Sequence, residues 1–170
     1  MTERRIDKML PDTSAANDAP RSFLRFIARV FPRYQPYAYA RRLMRALEAV
    51  EQGEIDRLMV FMPPRHGKSE LVPRLFPAWY LSRHPERWAG IVSYGQDLVN
   101  KFSRRARDYY RDAGGTLNPD RQAVKEWETS RRGGLGAAGI GGPITGSGFH
   151  VGIIDDPIKN AEEAASPTVR

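Results

Sequence analysis

Apolar residues recur at helical spacing over residues 22–31, at Phe23, Leu24, Phe26, Ile27, Val30 and Phe31, until Pro32 and Pro36 break the run. A second helix is predicted over about 37–52, with Leu43, Leu47 and Val50 on one face and Gly53 at its end. The pattern then changes. Leu58-Met59-Val60-Phe61-Met62 is an unbroken apolar run, which predicts a strand buried on both faces. Residues 63–67 read as a loop, and a helix is predicted to open near Lys68 or Ser69, bent or split by Pro73 and Pro77. Residues 89–94 predict a second buried strand and 97–111 an amphipathic helix. Residues 114–120 read as a turn region, and the glycine-dense stretch 127–144 as short strands joined by tight turns. A third buried strand is predicted over 149–154, ending in Asp155-Asp156-Pro157. Strands alternating with helices predict an α/β domain with a largely parallel sheet. Residues 1–20 are polar and aperiodic and read as a mobile leader.

Composition narrows the chemistry. The 170 residues suffice for one ordinary domain, and 41% hydrophobic with 28% charged residues indicates a soluble globular chain. There is no cysteine, which excludes disulfide scaffolds, thiol nucleophiles and cysteine-zinc sites. His66, His84 and His150 are scattered, so a histidine-built metal site is not expected. No apolar stretch approaches the ~20 residues of a membrane span, and the N-terminus has no signal-peptide core. A cytoplasmic chain without a membrane partner is expected. Lys and Arg outnumber Asp and Glu by 27 to 20, a net charge of +7. That suits a polyanionic partner, nucleic acid first, and equally a basic surface kept for solubility.

The sharpest local signal is Pro63-Pro64-Arg65-His66-Gly67-Lys68-Ser69-Glu70, placed between an apolar strand and a helix. That is the setting of a phosphate loop, where unpaired backbone N–H groups at a helix start meet an anion. Pro64, Arg65, His66, Gly67, Lys68, Ser69 and Glu70 are the expected nucleotide-binding residues. Lys68 would reach the β- and γ-phosphates and Ser69 would ligate Mg²⁺. Met62 stands where the usual pattern has its first glycine. Arg65 either contacts the γ-phosphate as an arginine finger in cis or caps local carbonyls, and His66 is expected to shape the loop. Downstream, residues 149–156 form an apolar strand ending in two acids. There Asp155 would hold Mg²⁺ and Asp156 would orient the attacking water. Asp-Asp-Pro is also ordinary turn chemistry. The two stretches together point to a P-loop site for ATP and Mg²⁺, with Asp156, Arg65 and Lys68 as catalytic candidates.

On the basic helix, Lys101, Arg104, Arg105 and Asp108 share one face, and Leu98, Phe102, Ala106 and Tyr109 the other. The cationic face is either a contact for a DNA backbone or a solvated surface. Gln35 reads as a loop residue, and Trp79, Trp88 and Trp127 as core or core-edge residues.

With both stretches in place, the chain resembles the N-terminal ATPase region of the large terminase subunit of tailed bacteriophages. The resemblance is carried, in order, by Pro63-Pro64-Arg65-His66-Gly67-Lys68-Ser69-Glu70-Leu71, Phe76-Pro77-Ala78-Trp79, Val92-Ser93-Tyr94, Ala138-Gly139-Ile140-Gly141-Gly142, Ile144-Thr145-Gly146 and Ile153-Ile154-Asp155-Asp156-Pro157. It implies a RecA-like ATPase that moves double-stranded DNA into a procapsid in the host cytoplasm. It also implies a homo-oligomeric ring at a portal protein, a small terminase subunit as partner, and a nuclease in a separate C-terminal domain. Matched positions imply phosphate and Mg²⁺ roles for Lys68, Ser69 and Asp155, and a catalytic carboxylate at Asp156. Ser147 stands where such sequences often carry arginine. In RecA-like ATPases a further strand inserts between the phosphate-loop and aspartate strands. No residues remain here for that strand or for the nuclease, so residues 21–170 are expected to be an N-terminal portion of the ATPase domain, incomplete at its C-terminus. The alternatives are a non-catalytic remnant that binds nucleotide or DNA, or another helicase-like P-loop ATPase.

Overall fold

The computed structural model describes residues 22–142 and 148–158, so the expected leader and Ser147 lie outside the described residues. Helix α1 spans Phe23–Val30 and α2 spans Ala38–Glu51. They pack through the apolar stripes visible in the sequence: Phe23, Phe26 and Ile27 of α1 and Leu43, Met44 and Leu47 of α2 are all buried. Phe23 stacks on Trp79 with ring centroids 5.0 Å apart and meets Phe76 edge-on. Its backbone N–H donates to Glu48 Oε1 at 2.7 Å, satisfying one of the free donors at the start of α1. Gly53 closes α2 at φ +76°.

The helix after the loop is divided as its prolines require. A single turn, α3 (Lys68–Glu70), runs into a wide π turn (Leu71–Leu75) containing Pro73, and then into α4 (Phe76–Arg83) with Pro77 in its first turn. Proline lacks the N–H that a regular α turn needs, and the wider turn accommodates it. The long helix α5 spans Gln96–Asp112 and buries Val99, Phe102, Ala106, Tyr109 and Tyr110.

The sheet has five strands: β1 (Trp88–Ser93), β2 (Leu117–Gln122), β3 (Glu126–Thr129), β4 (Gly134–Gly139) and β5 (Val151–Ile154). Their order is β2-β3-β4-β1-β5. β1 pairs in parallel with β4 and β5, so the three strands end at one edge of the sheet. The pairs β2–β3 and β3–β4 are antiparallel. The turn between β3 and β4 depends on Gly133. A Cβ there would overlap the carbonyl oxygens of Arg87 and Pro85, and the Gly133 N–H donates to the latter at 3.0 Å.

Three expectations change. The sheet is mixed rather than mainly parallel, because the glycine-dense stretch supplies β3 and β4 as a hairpin. Part of the expected turn region is strand β2, although only Leu117 and Asn118 of it are even half-buried. Most clearly, residues 58–62 are not a strand. Met59 is 79% exposed and Phe61 85% exposed, and the segment makes no backbone hydrogen bond among the described residues. A buried strand needs a ladder partner on each side, and no described strand lies beside this segment. β5 is correspondingly an edge strand, with Ile154 70% exposed. Among the described residues no helix is long and apolar enough to cross a membrane.

Candidate functional site

The parallel strands deliver their C-terminal ends to the start of α3. The Asp155 N–H donates to Val92 O at 2.9 Å, extending the β5–β1 ladder by one residue. The Asp156 carbonyl oxygen accepts from the Tyr94 N–H at 3.2 Å and from the Ser93 hydroxyl at 3.4 Å. Both acids are thereby fixed to the end of the central strand. Asp156 sits at φ 45° and Arg65 at φ 64°, in the left-handed region that few residues other than glycine adopt, aspartate more readily than arginine. Such backbone strain gathers at functional sites.

Opposite them, Gly67 adopts φ +84° as the N-cap of α3. Its carbonyl accepts from the Glu70 and Leu71 N–H groups at 3.1 and 3.0 Å. The left-handed turn is cheap for glycine and lets the helix open directly after the loop. The His66 ring nitrogen Nδ1 donates to Pro64 O at 2.8 Å, which ties the loop to itself, and the ring meets Tyr39 edge-on at 5.5 Å. Arg65 is exposed and pairs with nothing among the described residues.

Lys68 bridges the two halves. Its ammonium lies 2.7 Å from Asp156 Oδ1 and 3.1 Å from Asp155 Oδ1. Burial disfavours the charged ammonium, but the bonds and charges of Asp156 and Asp155 outweigh this and raise its pKa above the ordinary lysine value. Asp155 is 3% exposed, and its second oxygen, Oδ2, is buried with no hydrogen-bond partner among the described residues. A buried carboxylate oxygen left unpaired is costly unless something else binds it. With the half-buried Ser69 in the first turn of α3, that oxygen offers the hard donors Mg²⁺ prefers, so these residues fit the ion. An open cleft of about 380 Å³ borders Lys68 and is walled by Val60, Phe61, Met62 and Pro63.

Of the expected nucleotide residues 64–70, Lys68 meets both acids, while Glu70 turns instead to Arg74 and Tyr109. Lys101, Arg104 and Arg105 lie exposed on α5. Two tyrosines escaped the sequence reading. Tyr34 has its hydroxyl 3.7 Å from where a Gly67 Cβ would stand, and the Tyr109 hydroxyl donates to Glu70 Oε1 at 2.6 Å. Tyr109 lies on the apolar face of its helix, and the one clue to a polar role was Arg105 four residues earlier.

Comparison with curated proteins and with solved structures gives no match. A family model described as terminase large subunit, T4likevirus-type, N-terminal, matches residues 59–170. That span holds the loop, Lys68 and both acids, in agreement with the resemblance carried by those residues. The chain belongs to this family of terminase large subunit N-terminal regions.

Proposed function

We propose that this chain is the ATPase portion of a phage large terminase, binding Mg-ATP and coupling its hydrolysis to movement of double-stranded DNA into a procapsid. One observation carries the reading: the Lys68 ammonium meets Asp155 and, 88 positions away in sequence, Asp156, at the point where a strand end faces a helix start. Ligands of open α/β sheets bind at such strand ends. The arrangement is compatible with a RecA-like domain in which a further strand pairs with β5. Portal protein, small terminase subunit and a ring of like subunits are the partners family membership suggests.

In this reading the residues divide the work. Backbone N–H groups at the start of α3 and the side chain of Lys68 bind the phosphates. Ser69 and Asp155 would hold Mg²⁺, which when bound would neutralise charge on the phosphate oxygens. Lys68 must exchange its carboxylate partners for phosphate oxygens, and this frees Asp156 to accept a proton from the attacking water. Arg65, on the exposed loop, would meet charge developing at the γ-phosphate.

Lys68→Ala tests the reading directly. The side chain is only partly buried, so the variant should fold and lose Mg-ATP binding in a titration. Unchanged affinity would remove the phosphate site. A second reading, nucleotide binding without steady turnover, is favoured by the unpaired segment 58–62, which leaves one wall of the cleft without sheet support.

A further inference from the structure

A single tyrosine links the helix turn that follows the loop to the cationic helix. Glu70 directly follows Ser69 in α3. Its Oε1 accepts the 2.6 Å bond from the Tyr109 hydroxyl, and its Oε2 pairs with Arg74 one turn on. Tyr109 is almost fully buried in α5. One turn earlier, the exposed Arg105 places its guanidinium 4.4 Å over the Tyr109 ring. Burial and the neighbouring Glu70 push the phenol up to about 12, so at neutral pH it remains a donor. The contact adds a polar link to the packing of the π turn on α5, where the Arg74 guanidinium lies 5.2 Å from the Phe102 ring. α3 is one turn long, and the π turn behind it leaves Arg74 Nε buried without a partner among the described residues.

We propose that Tyr109 is a positioning residue: by holding Glu70 it sets the Lys68–Ser69 turn, and so couples phosphate binding at that turn to polyanion binding at Arg105. The inference rests on the phosphate-binding reading given above. A phosphate that pairs with Arg105 draws the guanidinium away from the Tyr109 ring. A cation over the ring makes the phenol O–H a stronger donor, so its withdrawal weakens the bond to Glu70 and with it the hold on the turn. The link must be reciprocal: whatever one ligand does to the affinity of the other is returned by the same factor.

The test uses the full chain, Mg-ATP and a short DNA duplex at one fixed salt concentration. In the parent, saturating duplex should change ATP affinity by ~5-fold or more, and ATP should change duplex affinity equally. Tyr109→Phe keeps the ring and its packing. It should bind duplex alone much as the parent does and ATP alone more weakly, because the turn is no longer held, with the mutual effect gone. Tyr110→Phe, the neighbouring buried tyrosine packed on Trp127 and outside this chain of contacts, should keep the effect. A mutual effect of parental size in Tyr109→Phe, or none in the parent, overturns the coupling. Lys68→Ala run alongside separates the two ideas: if it binds ATP as the parent does, the phosphate-binding reading fails and the coupling with it. If it loses ATP while the effect survives in Tyr109→Phe, the coupling alone fails.

Discussion

The Lys68 ammonium and the Asp156 carboxylate are 2.7 Å apart, although Asp156 is more than half exposed while Asp155 beside it is buried. The two acids therefore hold the lysine unequally. Water screens the charge on Asp156, whereas Asp155 is shielded and carries an unpaired oxygen.

That asymmetry separates their variants. Asp156→Asn should leave Mg-ATP affinity within about a few-fold of the parent, because an exposed ion pair contributes only ~0–1 kcal/mol. It should abolish the chemical step, read in a single-turnover assay. Asp155→Asn should instead lose the dependence of ATP affinity on Mg²⁺, read by titrating with and without a chelator. Equal Mg²⁺ dependence in parent and Asp155→Asn would move the cation elsewhere.

Away from this site, the C-terminal ends of α2 and α4 are joined by a buried acid. Glu51 Oε1 accepts from Arg83 Nε and His84 Nε2, each at 2.7 Å. Burial alone would raise the Glu51 pKa, but Arg83 and His84 outweigh it and hold the carboxyl below its ordinary value of 4.5. A lowered folded-state pKa gives stability that is present above the unfolded value and lost as pH falls through the folded one. Denaturant titrations should therefore find Glu51→Gln less stable than the parent by about 1–3 kcal/mol at neutral pH, the gap closing below pH 4.5. A gap that persists at lower pH would mean packing, not charge, sets the loss.

How much of this was legible depends on what each element needed from elsewhere. α1, α2 and α5 carry their own apolar stripes, so Phe23, Leu43 and Phe102 announced their buried faces. That the loop and the aspartate pair would meet was readable from their places, one at a helix start and the other at a strand end. The state of residues 58–62 was not readable. Apolar content announces a buried strand, but burial comes from neighbours, and Phe61 has none beside it among the described residues. The short strands β3 and β4 were expected from the glycine-dense stretch, but their antiparallel pairing into the sheet was not. Here Gly133 and Gly134 allow close approach of the backbones of Arg87 and Trp127.

The cationic face of α5 makes a prediction about salt. If Lys101, Arg104 and Arg105 each neutralise a phosphate, changing all three to Ala should reduce the slope of log affinity against log salt by about three. Binding measured at several salt concentrations with duplexes of different sequence gives the slope. An unchanged slope would assign these residues to solvent.

The isolated chain should turn ATP over slowly or not at all, while still binding it. The cleft wall formed by Val60, Phe61 and Met62 has no ladder to fix it, and the water-orienting role proposed for Asp156 would need a fixed wall. A steady-state assay on the purified chain decides this. Sustained turnover without an added partner would show that an unpaired segment 58–62 does not limit the chemistry.

The exposed edge of β5 and the bare segment 58–62 also bear on how any melting temperature of this chain is interpreted. Whatever pairs with them binds the folded state and not the unfolded one, and by mass action it shifts the folding equilibrium. Such an edge is itself a template for another copy of the chain. The midpoint of thermal unfolding should therefore rise with protein concentration. A single stability measured at a single concentration would describe the sample as much as the molecule.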